Sequence, residues 1–313
     1  MSRKDNESLL RATENKNDEF FTRYEDIERE LQYYDLTGKS IYCNCDNPYE
    51  SNFVHYFVDN FERLGIKYLV ATHISKDESP SVKMTYDGNR PEYSVLNGDG
   101  DFRSEECVDI LKECDVVVTN PPFSLFRVFI STIINNKKDF LVIGSQNAIS
   151  YVNFFSLIKN EKVRVGVNYV KEFGISDVGL HKYTKNVRWC DKSEKYIAKF
   201  GNVIWFTTLQ HNVHKPLTLT ETYSADKYQK YDNFNAINVD RVSQIPKNYS
   251  GAMGVPITYI NKHDSNMFRI LGKSDDFAED IIVNGQRKNS AGRFYINGKR
   301  KYDRVVIKRL NKI

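Results

Sequence analysis

No stretch of this chain approaches the roughly 18 uninterrupted apolar residues that a membrane-crossing helix needs. The N-terminal MSRKDNESLLRATENKNDEFF also lacks the apolar core of a secretory leader. Both absences point to a soluble, cytoplasmic protein. Cysteine is scarce and irregular: Cys43, Cys45, Cys107, Cys114 and Cys190 make an odd number without a repeated C-x-x-C pair, which favours reduced thiols over a disulfide frame or a zinc site. The six histidines have no metal-ligand spacing, and no segment repeats. Excess charge is small, +4 with a pI near 8.6 and a mean hydropathy of −0.56, so a nucleic-acid partner is permitted but not demanded. The 313 residues suffice for a large core in one or two domains.

Residues 1–17 are polar and charged and read as a loose arm. From Glu19 to Tyr34, the three- and four-residue spacing of Phe20, Tyr24, Ile27 and Leu31 predicts an amphipathic helix. A strand at Ile41 to Asn44, a turn at Asp46-Asn47-Pro48, a helix from Ser51 to Leu64 stopped by Gly65, and a strand at Tyr68 to Thr72 compose a βαβ unit. Its crossover implies a parallel sheet. After a polar loop or hairpin from Ser75 to Glu92, the chain continues with Tyr93 to Leu96, the turn Asn97-Gly98-Asp99-Gly100-Asp101 and a helix near Glu105 to Lys112. A strand at Asp115 to Thr119 follows, then helix, strand, helix and strand to about residue 172. The alternation predicts a doubly wound α/β core over residues 18–174. Short β-like runs fill residues 175–313, read as a second region that partly extends the core.

The sequence DVVVTNPPFSLF, residues 115–126, is the most informative stretch. In an open parallel sheet, ligands bind where the carboxyl ends of strands meet their loops. Asn120 stands at such an end, and Pro121 and Pro122 stiffen the turn and remove two backbone donors. The Asn120 side-chain oxygen and the Pro121 carbonyl then form a pair of acceptors beside the flat ring of Phe123. Such a site suits a planar group carrying NH2, a nucleobase amine or an amide. A helix-initiating Asn with prolines in the first turn is the plain structural alternative.

Asn-Pro-Pro-Phe at a strand end resembles the catalytic motif of amino-group methyltransferases that use S-adenosylmethionine. Together with NDEFFTRYEDIERELQYY, IYCNCDNPYESNF, GDGDFRS, YDNFNAINV and MGVPIT, in this order, it is similar to the EcoRI-type adenine-specific modification methylases. The resemblance implies a Rossmann-like methyltransferase fold, a mostly parallel twisted sheet flanked by helices, with a C-terminal DNA-recognition region. It implies catalytic roles for Asn120, Pro121, Pro122 and Phe123, and a cofactor site built by Phe20, Thr22, Tyr24, Asn44, Asp46, Pro48, Thr72, Asp99, Phe102 and Asn120. Two departures stand out. Asn44 to Pro48 replaces the usual G-x-G loop, and Val70-Ala71-Thr72-His73 has no acid for the ribose hydroxyls.

The implied substrate is an adenine flipped out of double-stranded DNA. The implied partners are that DNA and a cognate restriction endonuclease, unless the enzyme is an orphan or phage type; the protein is expected to be a monomer. Arg287, Lys288, Arg293, Lys299 and Arg300, with interleaved aromatics, form a basic cluster suited to phosphates. His181, Lys182, Lys185 and Arg188 form a second. A solvated basic tail is the plain alternative. A methyltransferase for RNA adenine or a protein glutamine amide, and a non-catalytic DNA-binding relative, are the rival functions.

Overall fold

The structure, a computed structural model, describes residues 20–75, 80–175, 187–191, 195–211, 213, 217–283 and 286–310. The chain folds into two compact units, Met1–Phe154 with Lys162–Val213, and Phe155–Glu161 with His214–Ile313. The first unit therefore continues past residue 174, to Val213.

The first unit opens with β1 (Phe20–Thr22) and α1 (Tyr24–Leu31), where one helix from Glu19 to Tyr34 was expected. The helical spacing holds only from Tyr24, because Phe20–Thr22 pairs antiparallel with a strand some 150 residues away, Thr22 opposite Phe173. Next come β2 (Ser40–Cys43), α2 (Asn52–Asp59) and α3 (Phe61–Leu64). The expected helix over Ser51 to Leu64 is broken at Asn60, whose backbone leaves the helical region, and Gly65 ends it with φ +59. Then follow β3 (Tyr68–Thr72), the hairpin of β4 (Val82–Tyr86) and β5 (Glu92–Val95), α4 (Glu105–Glu113), β6 (Val116–Thr119), α5 (Phe126–Asn135), β7 (Asp139–Ser145), α6 (Val152–Lys159), whose residues from Phe155 on belong to the second unit, and β8 (Arg164–Tyr169). The unit is completed by β9 (Glu172–Ile175), β10 (Val187–Cys190), β11 (Lys195–Lys199) and β12 (Val203–Thr207).

Eight of these strands form one sheet in the order β5-β4-β3-β2-β6-β7-β12-β8. The central β3, β2, β6 and β7 are parallel, while β4, β5 and β12 run antiparallel to their neighbours. Every residue of β2 and β6 is buried, as strands covered on both faces require, which is why Val116-Val117-Val118 reads as an unbroken apolar run. From β2 the chain winds outward to β3 on one side, and from β6 to β7 on the other. The order thus reverses between β2 and β6, where an open sheet leaves a crevice at its carboxyl edge. A second sheet, β1-β9-β11-β10, positions Phe21 and Thr22. Glu30 of α1, fully buried, accepts from Tyr34 Oη and from the backbone N–H of Val167 and Asn168, which anchors α1 to β8.

The second unit is a sheet of β13 (Lys230–Tyr231), β14 (Phe234–Asn238), β15 (Ala252–Pro256), β16 (Phe268–Lys273) and, later in the chain, β21 (Arg304–Arg309), in the order β13-β14-β15-β21-β16. Between β16 and β21 lie two hairpins, β17 (Ile281–Val283) with β18 (Gln286–Lys288), and β19 (Tyr295–Ile296) with β20 (Lys299–Arg300). The block YDNFNAINV runs from β13 through β14, and MGVPIT runs through β15 into the turn after it. β14 and β15 are parallel neighbours, and Asn233 donates to the carbonyls of Glu279 and Arg293 and accepts from Tyr295 N–H. The Phe234 and Phe294 rings stack at 5.1 Å within this core.

Candidate active site

A cavity of about 670 Å³ opens at the carboxyl edge of the main sheet, where β2, β3 and β6 end. Asn120, Pro121, Pro122 and Phe123 all line it. Pro121 is buried, Pro122 is exposed with extended backbone, and Phe123 is half-buried at the start of a 3-10 turn that leads into α5. The other walls come from the β2–α2 loop (Asn44 to Phe53), the end of β3 (His73 to Ser75), the Gly100-Asp101-Phe102 turn, and Phe21 and Thr22 of β1.

The β2–α2 loop, Asn44 to Ser51, holds no glycine. Ser51 caps α2 by accepting Phe53 N–H, and the Asn52 side chain donates to the Thr22 carbonyl at 2.7 Å, which ties β1 into the cavity wall. Thr22 Oγ1 and Asn44 Oδ1 are buried and have no hydrogen-bond partner among the described residues. An unpaired buried polar atom costs about 1–3 kcal/mol, so two of them in one cavity wall fit a polar ligand. Asp46 is buried as well. Its Oδ1 accepts from Ser51 Oγ at 2.6 Å and its Oδ2 from Thr119 Oγ1 at 2.5 Å. Burial pushes its carboxyl up to about 6, against the lowering effect of the two hydroxyls.

Of the remaining expected cofactor residues, Phe102 lines the cavity and packs edge-on against Phe129 of α5 at 5.1 Å. Asp99 does not line it. Asp99 Oδ1 caps Asp101 N–H, its carbonyl accepts from Ser75 N–H and Ser81 Oγ, and the neighbouring Asp101 faces the cavity instead. Burial raises the Asp101 carboxyl, but the hydrogen bonds and charge of Arg103 outweigh it and hold the carboxyl below the usual range. Thr72 sits behind the wall: its hydroxyl pairs with Tyr42 Oη at 2.8 Å and its carbonyl accepts Asp46 N–H. Tyr24 and Pro48 line a separate, shallower pocket of about 390 Å³. The Phe20 side chain lies outside the described residues. The sequence reading did not name Phe21, Glu50, Asn52, His73 and Asp101 as wall residues; the blocks NDEFFTRYED, YESNF and GDGDFRS contain all of them but His73, without marking which of their residues face the cavity.

Among the described residues no group of three or more His, Cys, Asp and Glu could hold a metal. The five cysteines are free, and burial keeps the Cys43 and Cys45 thiols well above their usual range and therefore neutral. The walls thus offer hydrogen-bond acceptors, a carboxylate and aromatic faces. This suits binding a polar, planar substrate beside a second ligand.

Residues 8–310 match the family of adenine-specific methyltransferases typified by EcoRI. The chain belongs to the EcoRI-type adenine-specific methyltransferase family. It is 40% identical over 306 residues to the Type II methyltransferase M.EcoRI of Escherichia coli, covering 90% of this chain and 94% of that one. It is also similar to the Type II methyltransferase M.MgeORF184P of Mycoplasma genitalium, 36% identical with 96% and 98% coverage. For the Type II methyltransferase M.MpnI of Mycoplasma pneumoniae the identity is 35%, with 95% and 97% coverage. No solved structure matches significantly.

The basic residues expected to serve this methyltransferase fall into distinct surroundings. Arg188, on β10, gives its guanidinium to Glu172, which Arg23 also engages. His181, Lys182 and Lys185, and the Lys288 side chain, lie outside the described residues. Arg293 is paired with Asp303, and Arg287 is exposed beside Asp280 at 3.0 Å. Lys299 and Arg300 of β20 are exposed, with no ion-pair partner among the described residues.

Proposed function

We propose that this enzyme transfers a methyl group from S-adenosylmethionine to the N6 amine of an adenine flipped out of double-stranded DNA. The observation that carries the proposal is one cavity shared by the Asn120-Pro121-Pro122-Phe123 turn and by two orphaned acceptors, Thr22 Oγ1 and Asn44 Oδ1. The orphaned oxygens fit a cofactor bearing an ammonium group and hydroxyls, so Thr22 and Asn44 would hold it, with Asp101 and Phe102 on another wall. The sulfonium, when bound, supplies an already activated methyl, so the protein needs positioning and acceptors rather than a strong base.

In this reading the Asn120 side-chain oxygen and the Pro121 carbonyl accept the two N–H hydrogens of the adenine amine. Two acceptors favour pyramidal nitrogen and free its lone pair, and Phe123 stacks on the base. The four parallel central strands with crossover helices support the Rossmann-like assignment. A DNA-recognition role for the second unit is supported by charge: residues 214–313 hold 18 Lys and Arg against 10 Asp and Glu, in a chain whose net charge is only +4. Exposed Lys299 and Arg300 are its leading phosphate contacts.

The relatives' type II names support a modification role paired with an endonuclease of the same specificity. Transfer to one base on one strand needs no two-fold symmetry, which supports a monomer. A cytoplasmic location fits the absence, among the described residues, of any helix long and apolar enough to cross a membrane. The test is transfer of labelled methyl to unmethylated duplex DNA, beside total RNA and protein. Label recovered as N6-methyladenine in DNA supports the proposal; label in RNA or protein alone overturns it.

A further inference from the structure

Asp46 was expected to meet the cofactor, yet both of its oxygens already accept hydroxyls from inside the fold. One belongs to Ser51, the N-cap of α2, and the other to Thr119, the residue immediately before Asn120. The Asp46 N–H is also committed, to the Thr72 carbonyl at 3.1 Å. One side chain and its own amide therefore tie together the ends of β2, β3 and β6 and the start of α2. All three side chains, Asp46, Ser51 and Thr119, are buried.

We infer that Asp46 is a positioning residue, whose carboxylate brace to Thr119 fixes the orientation of the Asn120 turn against the cofactor loop. This inference rests on the proposed methyl transfer for its kinetic consequence but not for its structural one. An ionised carboxylate can only accept, so both hydroxyls must point their hydrogens at it. Such charge-assisted bonds are roughly twice as strong as neutral ones. Thr119 is β-branched and stiff at χ1, so holding its hydroxyl holds its backbone and the peptide that leads into Asn120. No glycine-rich loop shapes the end of β2, and the brace does that work with a side chain. The titratable groups around Asp46 are the Cys43 and Cys45 thiols and, beyond Cys45, the Asp101 carboxylate. Both thiols are raised by burial and stay neutral, so proton uptake in this cluster near neutral pH falls on Asp46, whose carboxyl burial has already raised. A protonated Asp46 donates from one oxygen, and the Thr119 hydroxyl is then free to turn away.

The test compares wild type, Thr119→Val, Thr119→Ser and Asp46→Asn by amide hydrogen exchange over residues 116–126, cofactor-product affinity, and single-turnover methyl transfer between pH 5 and 8.5. Thr119→Val is expected to exchange at least tenfold faster in the Asn120 to Phe126 segment and to transfer methyl at least tenfold more slowly, with S-adenosylhomocysteine affinity within threefold of wild type. Thr119→Ser, which keeps the hydroxyl, is expected to restore both. The wild-type rate is expected to fall as pH drops through the Asp46 titration, and that acid limb is expected to vanish in Asp46→Asn. Unchanged exchange and rate in Thr119→Val overturns the inference. So does a rate loss that only follows cofactor affinity, or one that Thr119→Ser fails to rescue. If wild type transfers no methyl at all, the proposed function fails, while the exchange comparison still decides the brace.

Discussion

Gly100→Ala should damage cofactor binding out of proportion to its size. Gly100 adopts φ +79, and a methyl built there would overlap the His73 carbonyl oxygen and come to 3.0 Å from Ser81 Oγ. The left-handed conformation alone costs an L-residue about 1–2 kcal/mol, and the overlap is with backbone, which cannot swing aside. The turn must therefore move by about 1 Å. That shift carries Asp101 and Phe102 out of the cavity wall and strains the Ser81 bond to the Asp99 carbonyl. A misplacement of about 1 Å can cost about 100-fold in rate, and a tenfold loss of affinity corresponds to about 1.4 kcal/mol. Titration calorimetry with S-adenosylhomocysteine should give at least a tenfold weaker Kd, and methyl transfer should fall further. Gly98→Ala is the internal control, because its added methyl meets only Glu106 Oε2, at 3.7 Å, and it should bind like wild type. A Gly100→Ala protein that binds within twofold of wild type, or a Gly98→Ala protein equally damaged, would refute the reasoning.

Three further outcomes are expected. Glu30→Ala leaves the buried Tyr34 hydroxyl and the part-buried N–H groups of Val167 and Asn168 without their acceptor; at about 1–3 kcal/mol for the buried group and about 1 kcal/mol for each of the others, and about 2–4 °C per kcal/mol for a unit of this size, the melting temperature should drop by about 6 °C or more. A drop of under 2 °C by calorimetry would contradict this. Burial raises the Asp46 carboxyl from 3.8 to about 6, so its ionisation costs about 3 kcal/mol of folding stability. The group's contribution is full below pH 4 and is lost as pH rises through 6; denaturant titrations should show that decline in wild type and its absence in Asp46→Asn. Replacing Lys299 and Arg300 together by Ala should weaken DNA binding on all sequences and reduce the log–log salt slope by about 2, which filter binding at several salt concentrations would measure; an unchanged slope excludes them as phosphate contacts.

The central strands and the NPPF turn were legible in the sequence because they depend on local signals: continuous burial writes an apolar run into β2 and β6, and two prolines fix a turn. What was not legible depends on distant partners. Phe20–Thr22 becomes a strand because of β9, and Val203–Thr207 returns to the main sheet beside β7, neither of which periodicity encodes. The exchange of Asp99 for Asp101 follows from an Asx turn and the left-handed Gly100, which decide which carboxylate faces inward. Pro48 and Tyr24 share motifs with true wall residues but point into a neighbouring pocket, since residues adjacent in a motif need not share a face.

The most direct measurement is methyl transfer to unmethylated duplex DNA by wild type and by Asn120→Ala, with S-adenosylhomocysteine affinity measured on both. The expected result is N6-methyladenine from the wild type, a rate reduced at least 100-fold in Asn120→Ala, and cofactor affinity within a few fold. An Asn120→Ala enzyme that still methylates adenine at near the wild-type rate would contradict the assignment of Asn120 as the acceptor for the reacting amine.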